Sequence, residues 1–132
     1  MKQTFLFLLV FISGGIFGQN NENSNNSLKS TLLFTTLEIV RDSIPYESKD
    51  LFVFEFKNVS EKPATIQNVQ TSCGCTAAEK PTEPIEPGKK SKISVSYDTT
   101  RIGSFTKTIT VSSDISDPIV LTIRGSVLPK KE

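Results

Sequence analysis

The regular spacing of phenylalanine between residues 51 and 58 restricts the fold more than any other feature of the chain. From Phe52 to Phe56, within Leu51–Asn58, every second residue is phenylalanine. Successive side chains of a β-strand point to opposite faces, so this spacing is typical of a strand with one buried face. No segment carries a sustained apolar stripe with the 3.6-residue period of a helix, and the chain is therefore predicted to be all-β.

Shorter runs with the same period recur along the chain, separated by polar residues, proline or glycine. Strands are predicted at Thr31–Val40, Leu51–Asn58, Thr65–Gln70, Lys92–Tyr97, Gly103–Ser112 and Ile119–Val127, with a weaker seventh near Thr82–Ile85. In the third of these, Ile66 and Val69 are out of phase, which predicts a bulge. Short strands at regular spacing favour two packed sheets over a closed barrel, so the predicted fold is an Ig-like antiparallel β-sandwich of about seven strands.

Three residues are predicted to shape turns. Pro87 and Gly88 are adjacent, which suits the two central positions of a type II turn, where the second residue has a positive φ. Gly74 separates two cysteines, and a positive φ at this glycine would permit the kink that a tight ring demands.

The chain is predicted to consist of four segments. Residues 1–18 carry one positive charge, a short apolar run and small residues near their end, which is the pattern of a secretory signal peptide. Residues 19–30 are rich in asparagine and are predicted to form a disordered leader. Residues 31–128 hold the predicted sandwich, and residues 129–132 form a C-terminal tail. The protein is therefore predicted to be exported, as a periplasmic or secreted protein with no transmembrane segment in the mature chain.

The composition excludes several classes of function. The 132 residues include no histidine, so Ser-His-Asp catalysis, Cys-His catalysis and a His-ligated metal are all ruled out. Fifteen basic and fourteen acidic residues leave a net charge of +1, which gives no electrostatic footprint for nucleic acid. The sequence thus predicts a protein that is not an enzyme, needs no cofactor and binds no nucleic acid.

The most unusual local feature is the pair Cys73 and Cys75, which a single glycine separates. Four interpretations stay open: a local disulfide or packed residues in a turn, a redox-active disulfide, capture of a soft metal such as Cu(I), or a disulfide to another envelope protein. Closing so short a loop lowers the entropy of the unfolded chain by an amount worth only about 1.6 kcal/mol of stability, so the bridge would stabilise the fold little. A closed zinc site would need two further ligands.

Several segments resemble the bacterial domain of unknown function 1573 family, and together they cover most of the chain from Thr31 to Val127. The matching segments are Phe54–Asn58, Ile66–Val69, Ser72–Thr76, Ile85–Gly88, Ile93–Tyr97, Gly103–Lys107 and Leu121–Gly125. The Cys-Gly-Cys-Thr sequence followed by Pro-Gly is the most specific part. The resemblance implies an exported Ig-like sandwich, similar to domains of pilus chaperones, major sperm protein and hydin, and it implies no established activity.

The sequence departs from the family pattern at two places. Asp42–Glu47 stands where members often carry a Phe-Gly turn, and Ser112–Asp114 stands where a Thr-Asn pair is usual. Both departures fall in predicted loops, so they concern recognition by the loops rather than the fold.

The predicted function is that of an exported, non-enzymatic module that contacts another envelope or secreted protein. A sandwich offers sheet edges for strand addition and clustered loops for recognition, and neither requires catalytic residues. The alternative is thiol–disulfide or Cu(I) handling through Cys73 and Cys75.

An intramolecular disulfide between Cys73 and Cys75 has a direct mass signature. Protein recovered from its native compartment is expected to resist alkylation when unreduced, and to take two labels per chain after reduction, as read by intact mass. Two labels without reduction would contradict the bridge and leave metal capture or simple packing as the explanation.

Overall fold

The computed structural model describes residues 31–132, which contain eight strands and no helix. The strands are β1 (Leu32–Phe34), β2 (Glu38–Ile44), β3 (Leu51–Asn58), β4 (Ile66–Thr71), β5 (Thr76–Glu79), β6 (Lys90–Tyr97), β7 (Gly103–Ser113) and β8 (Ile119–Val127). The predicted signal peptide (1–18) and leader (19–30) lie outside the described residues. Across residues 31–132, no helix has the length and apolarity needed to cross a bilayer.

The strands form two four-stranded sheets that enclose one core. The first sheet has the order β1-β3-β6-β5, and the second has the order β2-β8-β7-β4. The buried apolar residues of both sheets belong to a single cluster, as in an Ig-like sandwich. The Ig-like fold class is therefore confirmed.

The phenylalanines of β3 lie at the centre of this core. Phe52, Phe54 and Phe56 are 2%, 0% and 1% exposed, whereas the residues between them face outward. Burying a side chain of this size contributes about 1.5–3 kcal/mol relative to leaving it in water. The alternation that predicted one buried face of Leu51–Asn58 is thus confirmed.

The predicted single strand Thr31–Val40 is wrong, because the structure divides it between the two sheets. β1 pairs antiparallel with β3 in the first sheet, and β2 then joins the second sheet, beside β8. Leu32 and Phe34 point inward from β1, but Ile39 packs against the core from β2. The change of sheet reverses the inward parity, which explains why this segment is apolar on both parities.

The pairing of β2 with β8 adds one parallel pair to the otherwise antiparallel sandwich. Glu38 lies opposite Thr122 and Ile39 opposite Ile123, so these two strands run parallel. A Cβ at Gly125 would overlap the backbone oxygen of Arg41, so the close approach of β2 to β8 needs a glycine at that position.

The weak strand predicted near Thr82–Ile85 is not a strand. Ile85 forms only an isolated bridge with Ala64. The outer strand beside β6 is instead β5, whose sequence Thr-Ala-Ala-Glu lacks the alternating large apolar residues that reveal a strand. The bulge predicted in Thr65–Gln70 is confirmed, since the register of β4 against β7 shifts between Ile66 and Asn68.

Asn58 ties the end of β3 to three separate backbone segments. Its side chain is fully buried, and its Nδ2 donates to the carbonyl oxygens of Lys62 and Ile85 at 2.7 and 2.8 Å. Its Oδ1 accepts hydrogen bonds from the backbone N–H and the hydroxyl of Ser60 at 3.0 and 2.7 Å. The backbone oxygen of Asn58 accepts from Gly88 N–H at 2.8 Å. This amide therefore satisfies polar groups that would otherwise be buried without partners.

Replacing Asn58 by alanine is expected to lower the free energy of unfolding by at least about 2 kcal/mol, because each buried group left unsatisfied costs about 1–3 kcal/mol. Urea denaturation measures the loss. The matched control is Asn68→Ala, an exposed residue of β4, which should change stability by less than about 0.5 kcal/mol. Equal effects of the two substitutions would contradict this role of Asn58.

Candidate functional site

Cys73 and Cys75 lie where the chain passes from the second sheet to the first. They join β4 to β5, which are the outermost strands on one side of the sandwich, hereafter the β4–β5 side. The two sulfurs form a disulfide, and the Cα atoms are 5.3 Å apart, within the usual range of about 4.4–6.8 Å.

Hydrogen bonds to neighbouring strands hold this turn independently of the sulfurs. Ser72 N–H donates to the carbonyl oxygen of Thr108 at 3.0 Å, and Thr108 N–H donates to Ser72 Oγ at 3.1 Å. After the turn, Asp98 N–H donates to Cys75 O at 2.8 Å. The hydroxyl of Thr71 donates to Cys73 O at 3.1 Å. The path of the chain is thus fixed on both sides of the disulfide.

The two cysteine residues differ in burial. Cys75 is 9% exposed, whereas Cys73 is half-buried. The buried hydroxyl of Thr76 lies 3.6 Å from Cys73 Sγ and 3.8 Å from Cys75 Sγ. Cys73 is therefore the more accessible residue of the pair. In the described part of the chain, no three Cys, Asp or Glu side chains group together as metal ligands.

The three residues predicted to shape turns behave differently. Lys89 N–H donates to Glu86 O at 3.0 Å and Gly88 has a φ of 77°, which is the geometry of a type II turn with Pro87 and Gly88 at its centre. Gly74 does not have a positive φ, and a Cβ there would meet no atom within 4 Å. The expectation of a positive φ at Gly74 is therefore wrong.

Pro87 and Gly88 do not belong to the same site as the cysteines. Their turn immediately precedes β6, whereas Cys75 lies beside the far end of that strand, where Thr76 pairs with Tyr97. The two features thus lie at opposite ends of the sandwich.

The other side of the sandwich, hereafter the β1–β2 side, contains a feature that sequence reasoning missed. Arg41 lies on β2 at the parity that points inward, and its guanidinium carbon is 4.8 Å from the ring centroid of Phe52. A cation over an aromatic face at this distance is attracted by the ring. A charged residue two positions after Ile39 was the available signal, but its meaning depends on the change of sheet before β2.

A row of aromatic contacts extends from Arg41 across this end of the core. Phe52 meets Phe105 edge-on at 6.2 Å between centroids, and Phe105 stacks on Tyr97 at 3.8 Å. Tyr97 lies opposite Thr76 of β5, the residue that follows Cys75. Arg41 and the disulfide therefore lie on opposite sides of the same end of the sandwich.

The family described as "Protein of unknown function (DUF1573)" matches residues 32–127. The chain belongs to this family. That match spans the whole sandwich, from β1 to the last residue of β8. No curated protein matches the chain at a significant level.

Solved structures with a similar fold share little sequence with this member of the family. The PapD-like domain 7 of human CEP192 has a TM-score of 0.64 at 8% identity, over 77% of this chain and 87% of that one. A protein of unknown function from Porphyromonas gingivalis W83 has a TM-score of 0.59 at 15% identity, over 80% of this chain and 51% of that one. The CsuC–CsuE chaperone–tip adhesin pre-assembly complex of Acinetobacter baumannii has a TM-score of 0.54 at 10% identity, over 73% and 56%.

These likenesses establish a PapD-like, Ig-like fold for the sandwich. The chain spans only about half the length of the Porphyromonas and Acinetobacter chains.

The two glycines offer a matched test of local backbone geometry. Gly88→Ala is expected to lower the free energy of unfolding by about 1–2 kcal/mol, because an alanine at positive φ brings Cβ too close to the carbonyl oxygen. Gly74→Ala should leave stability unchanged or raise it by up to about 1 kcal/mol, since the unfolded chain loses freedom without strain in the folded one. Thermal or urea unfolding of the oxidised proteins distinguishes them, and a loss at Gly74 would contradict the geometry.

Proposed function

We propose that this domain is an exported, non-catalytic module that binds another envelope or secreted protein through an open edge of its sandwich. The observation that carries the proposal is the incomplete cover of β3 on the β1–β2 side. β1 pairs only with Phe56–Asn58, and within residues 31–132 no strand pairs with β3 beyond it on that side. An unpaired strand edge is a ready template for a strand of another chain.

Exposed apolar side chains accompany this open edge. Leu51 and Val53, on the uncovered part of β3, are 46% and 36% exposed. Natural sandwiches usually guard an open edge with charge, bulges or proline, whereas here two aliphatic residues flank it. This combination supports an edge that is used for binding.

The structural neighbours add a supporting analogy. One of them is a chain of a pre-assembly complex between a pilus chaperone and a tip subunit, which is consistent with a protein-binding role for this fold. Export of the present chain is supported by the predicted signal peptide at residues 1–18, and the catalytic groups that the composition lacks are not needed for such a role.

Thiol–disulfide exchange is a second candidate, favoured by the half-buried position of Cys73 beside the buried Cys75. In that reaction a partner thiolate attacks Cys73 Sγ, the Cys73–Cys75 bond breaks, and Cys75 leaves as a thiolate. The Thr76 hydroxyl, 3.8 Å from Cys75 Sγ, would donate to that thiolate. A second thiolate of the same partner would then attack the mixed disulfide and release Cys73 as a thiolate, so that the partner dithiol is oxidised to a disulfide and the Cys73–Cys75 pair is reduced.

A double substitution distinguishes the two candidates. A photo-reactive phenylalanine at position 53 reports contact of the open edge with a partner in cells, and the same probe at Thr106, on the outer face of the second sheet, is the control. In the Cys73→Ser, Cys75→Ser variant the position 53 crosslinks are expected to persist, because binding at the β1–β2 side does not use the sulfurs. Their loss from a variant that keeps the native circular dichroism would instead support thiol exchange.

A further inference from the structure

The uncovered part of β3 exposes hydrogen-bonding groups as well as apolar side chains. Thr35 N–H donates to Glu55 O at 2.9 Å and Val59 N–H donates to Thr31 O at 3.0 Å. The backbone N–H and C=O groups of the odd-numbered residues of β3 therefore point towards the β1–β2 side. Backbone direction alternates along a strand, which directs the N–H and C=O groups of Val53 and Leu51 to the same side. The bond from Thr35 to Glu55 is the last one on this side, and within residues 31–132 the groups of Val53 and Leu51 have no backbone partner there.

The other strand on this side is guarded against pairing. The register of β2 shifts between Arg41 and Ile44, and Ser43 in this bulge has a φ of 62°. The exposed residues of β2 also include Glu38 and Asp42. Bulges and charges discourage edge pairing, so the β1–β2 side offers β3, not β2, to an incoming strand.

Arg41 gives this edge a charge preference. Of the three arginines in residues 31–132, Arg101 lies 3.5 Å from Asp98 and Arg124 lies 3.0 Å from Glu38. Arg41 is half-buried over Phe52 and has no carboxylate within ion-pair distance in that part of the chain. A partly desolvated cation without an acidic partner is costly, and a carboxylate brought to it forms a charge-assisted hydrogen bond.

We propose that the uncovered part of β3, Leu51–Val53, takes up an extended peptide of a partner protein as an added strand, and that Arg41 pairs with an acidic side chain of this peptide. The proposal rests on the proposed function and names the edge and the chemistry of its partner. An added strand beside Val53 alternates its side chains between the two faces. Its inward residue lies over Phe52 beside Arg41 and is acidic, whereas its outward residues lie beside Val53 and are apolar.

The test uses two blocked peptides that differ in one group. The first is acetyl-Lys-Thr-Val-Glu-Val-Thr-Lys-amide, and the second has glutamine in place of glutamate. Each is titrated into the 15N-labelled protein, and the dissociation constant is read from amide shifts. The wild type is expected to bind the glutamate peptide about tenfold more tightly, the effect of one charge-assisted hydrogen bond, with shifts centred on Val53.

Two variants locate the preference. In Arg41→Gln the two peptides are expected to bind with equal affinity, and the matched control Arg124→Gln, on an exposed arginine of β8, should keep the tenfold ratio. In Val53→Pro neither peptide should bind, because proline removes the N–H that the added strand would use. That N–H faces an unpaired edge, where proline is tolerated, so the variant should keep a dispersed native spectrum.

Distinct outcomes overturn distinct parts of the proposal. Equal affinities in the wild type would overturn the role of Arg41, and wild-type binding by Val53→Pro, or shifts centred on β4 or β5, would overturn the choice of edge. If the role of Arg41 or the choice of edge is overturned in this way but position 53 still crosslinks to a partner in the Arg41→Gln variant, the proposed function stands. Their absence from the wild type would instead remove the proposed function.

Discussion

The burial of the three phenylalanines of β3 is the interaction on which the rest of the structure depends. Phe52, Phe54 and Phe56 are each no more than 2% exposed, and together their burial contributes several kcal/mol by the usual scale of about 1.5–3 kcal/mol for each. The second sheet covers their faces, and β6 pairs with one side of β3 from Leu51 to Lys57. The other side is covered in two ways: β1 lies beside Phe56, and the side chain of Arg41 closes the layer of Phe52. A side chain from a neighbouring strand, such as Arg41, can shield an aromatic ring from water while the backbone beside that ring stays unpaired. The core can therefore be stable although one edge of β3 has no strand paired with it.

The strands that alternate large apolar residues could be predicted from the sequence, because that signal is local. β3 and β8 bury every second residue over most of their length, and the buried residues of β6 (Ile93, Val95) and of β7 (Phe105, Ile109, Val111) also share one parity within each strand. β5 could not be found in this way, since its alanines are small and it owes its place to pairing with β6. Thr31–Val40 has apolar residues at both odd and even positions, which is consistent with its division into two strands. A single strand buried on both faces has the same pattern, so the sequence alone does not distinguish the two. The parallel pairing of β2 with β8 depends on a contact between segments about eighty residues apart in the chain, which no local pattern specifies.

The candidate site was predictable only where residue identity alone carries the chemistry. Cys73 and Cys75 stand out because a single residue separates them, and the turn at Pro87 and Gly88 follows from the φ that each residue prefers. The importance of Arg41 follows from the inward parity of β2, which the crossing at Thr35–Leu37 sets. If the passage between the sheets at Thr35–Leu37 is not known, the sequence gives no reason to distinguish Arg41 from the other, solvent-exposed charged residues. The conformation of Gly74 was misjudged for a related reason: hydrogen bonds to Thr108 and Asp98 position the turn, so its closure does not require an unusual φ at the glycine.

The way the Cys73–Cys75 turn is held bears on how its chemistry can be separated from the fold. A bridge across three residues restricts the unfolded chain by only about 1.6 kcal/mol, and the surrounding backbone hydrogen bonds fix the passage from β4 to β5 without it. Lys80 Nζ also donates to Ile66 O at 2.9 Å, which links the far ends of the same two strands. Because the β4–β5 side is held at both ends by contacts that do not involve sulfur, removing the disulfide should leave the sandwich folded. In many small exported domains the disulfide is required for folding, so loss of function after its removal cannot be assigned to its chemistry. In this sandwich the same loss would identify a redox role, and retention of binding would place the function at the edge strand.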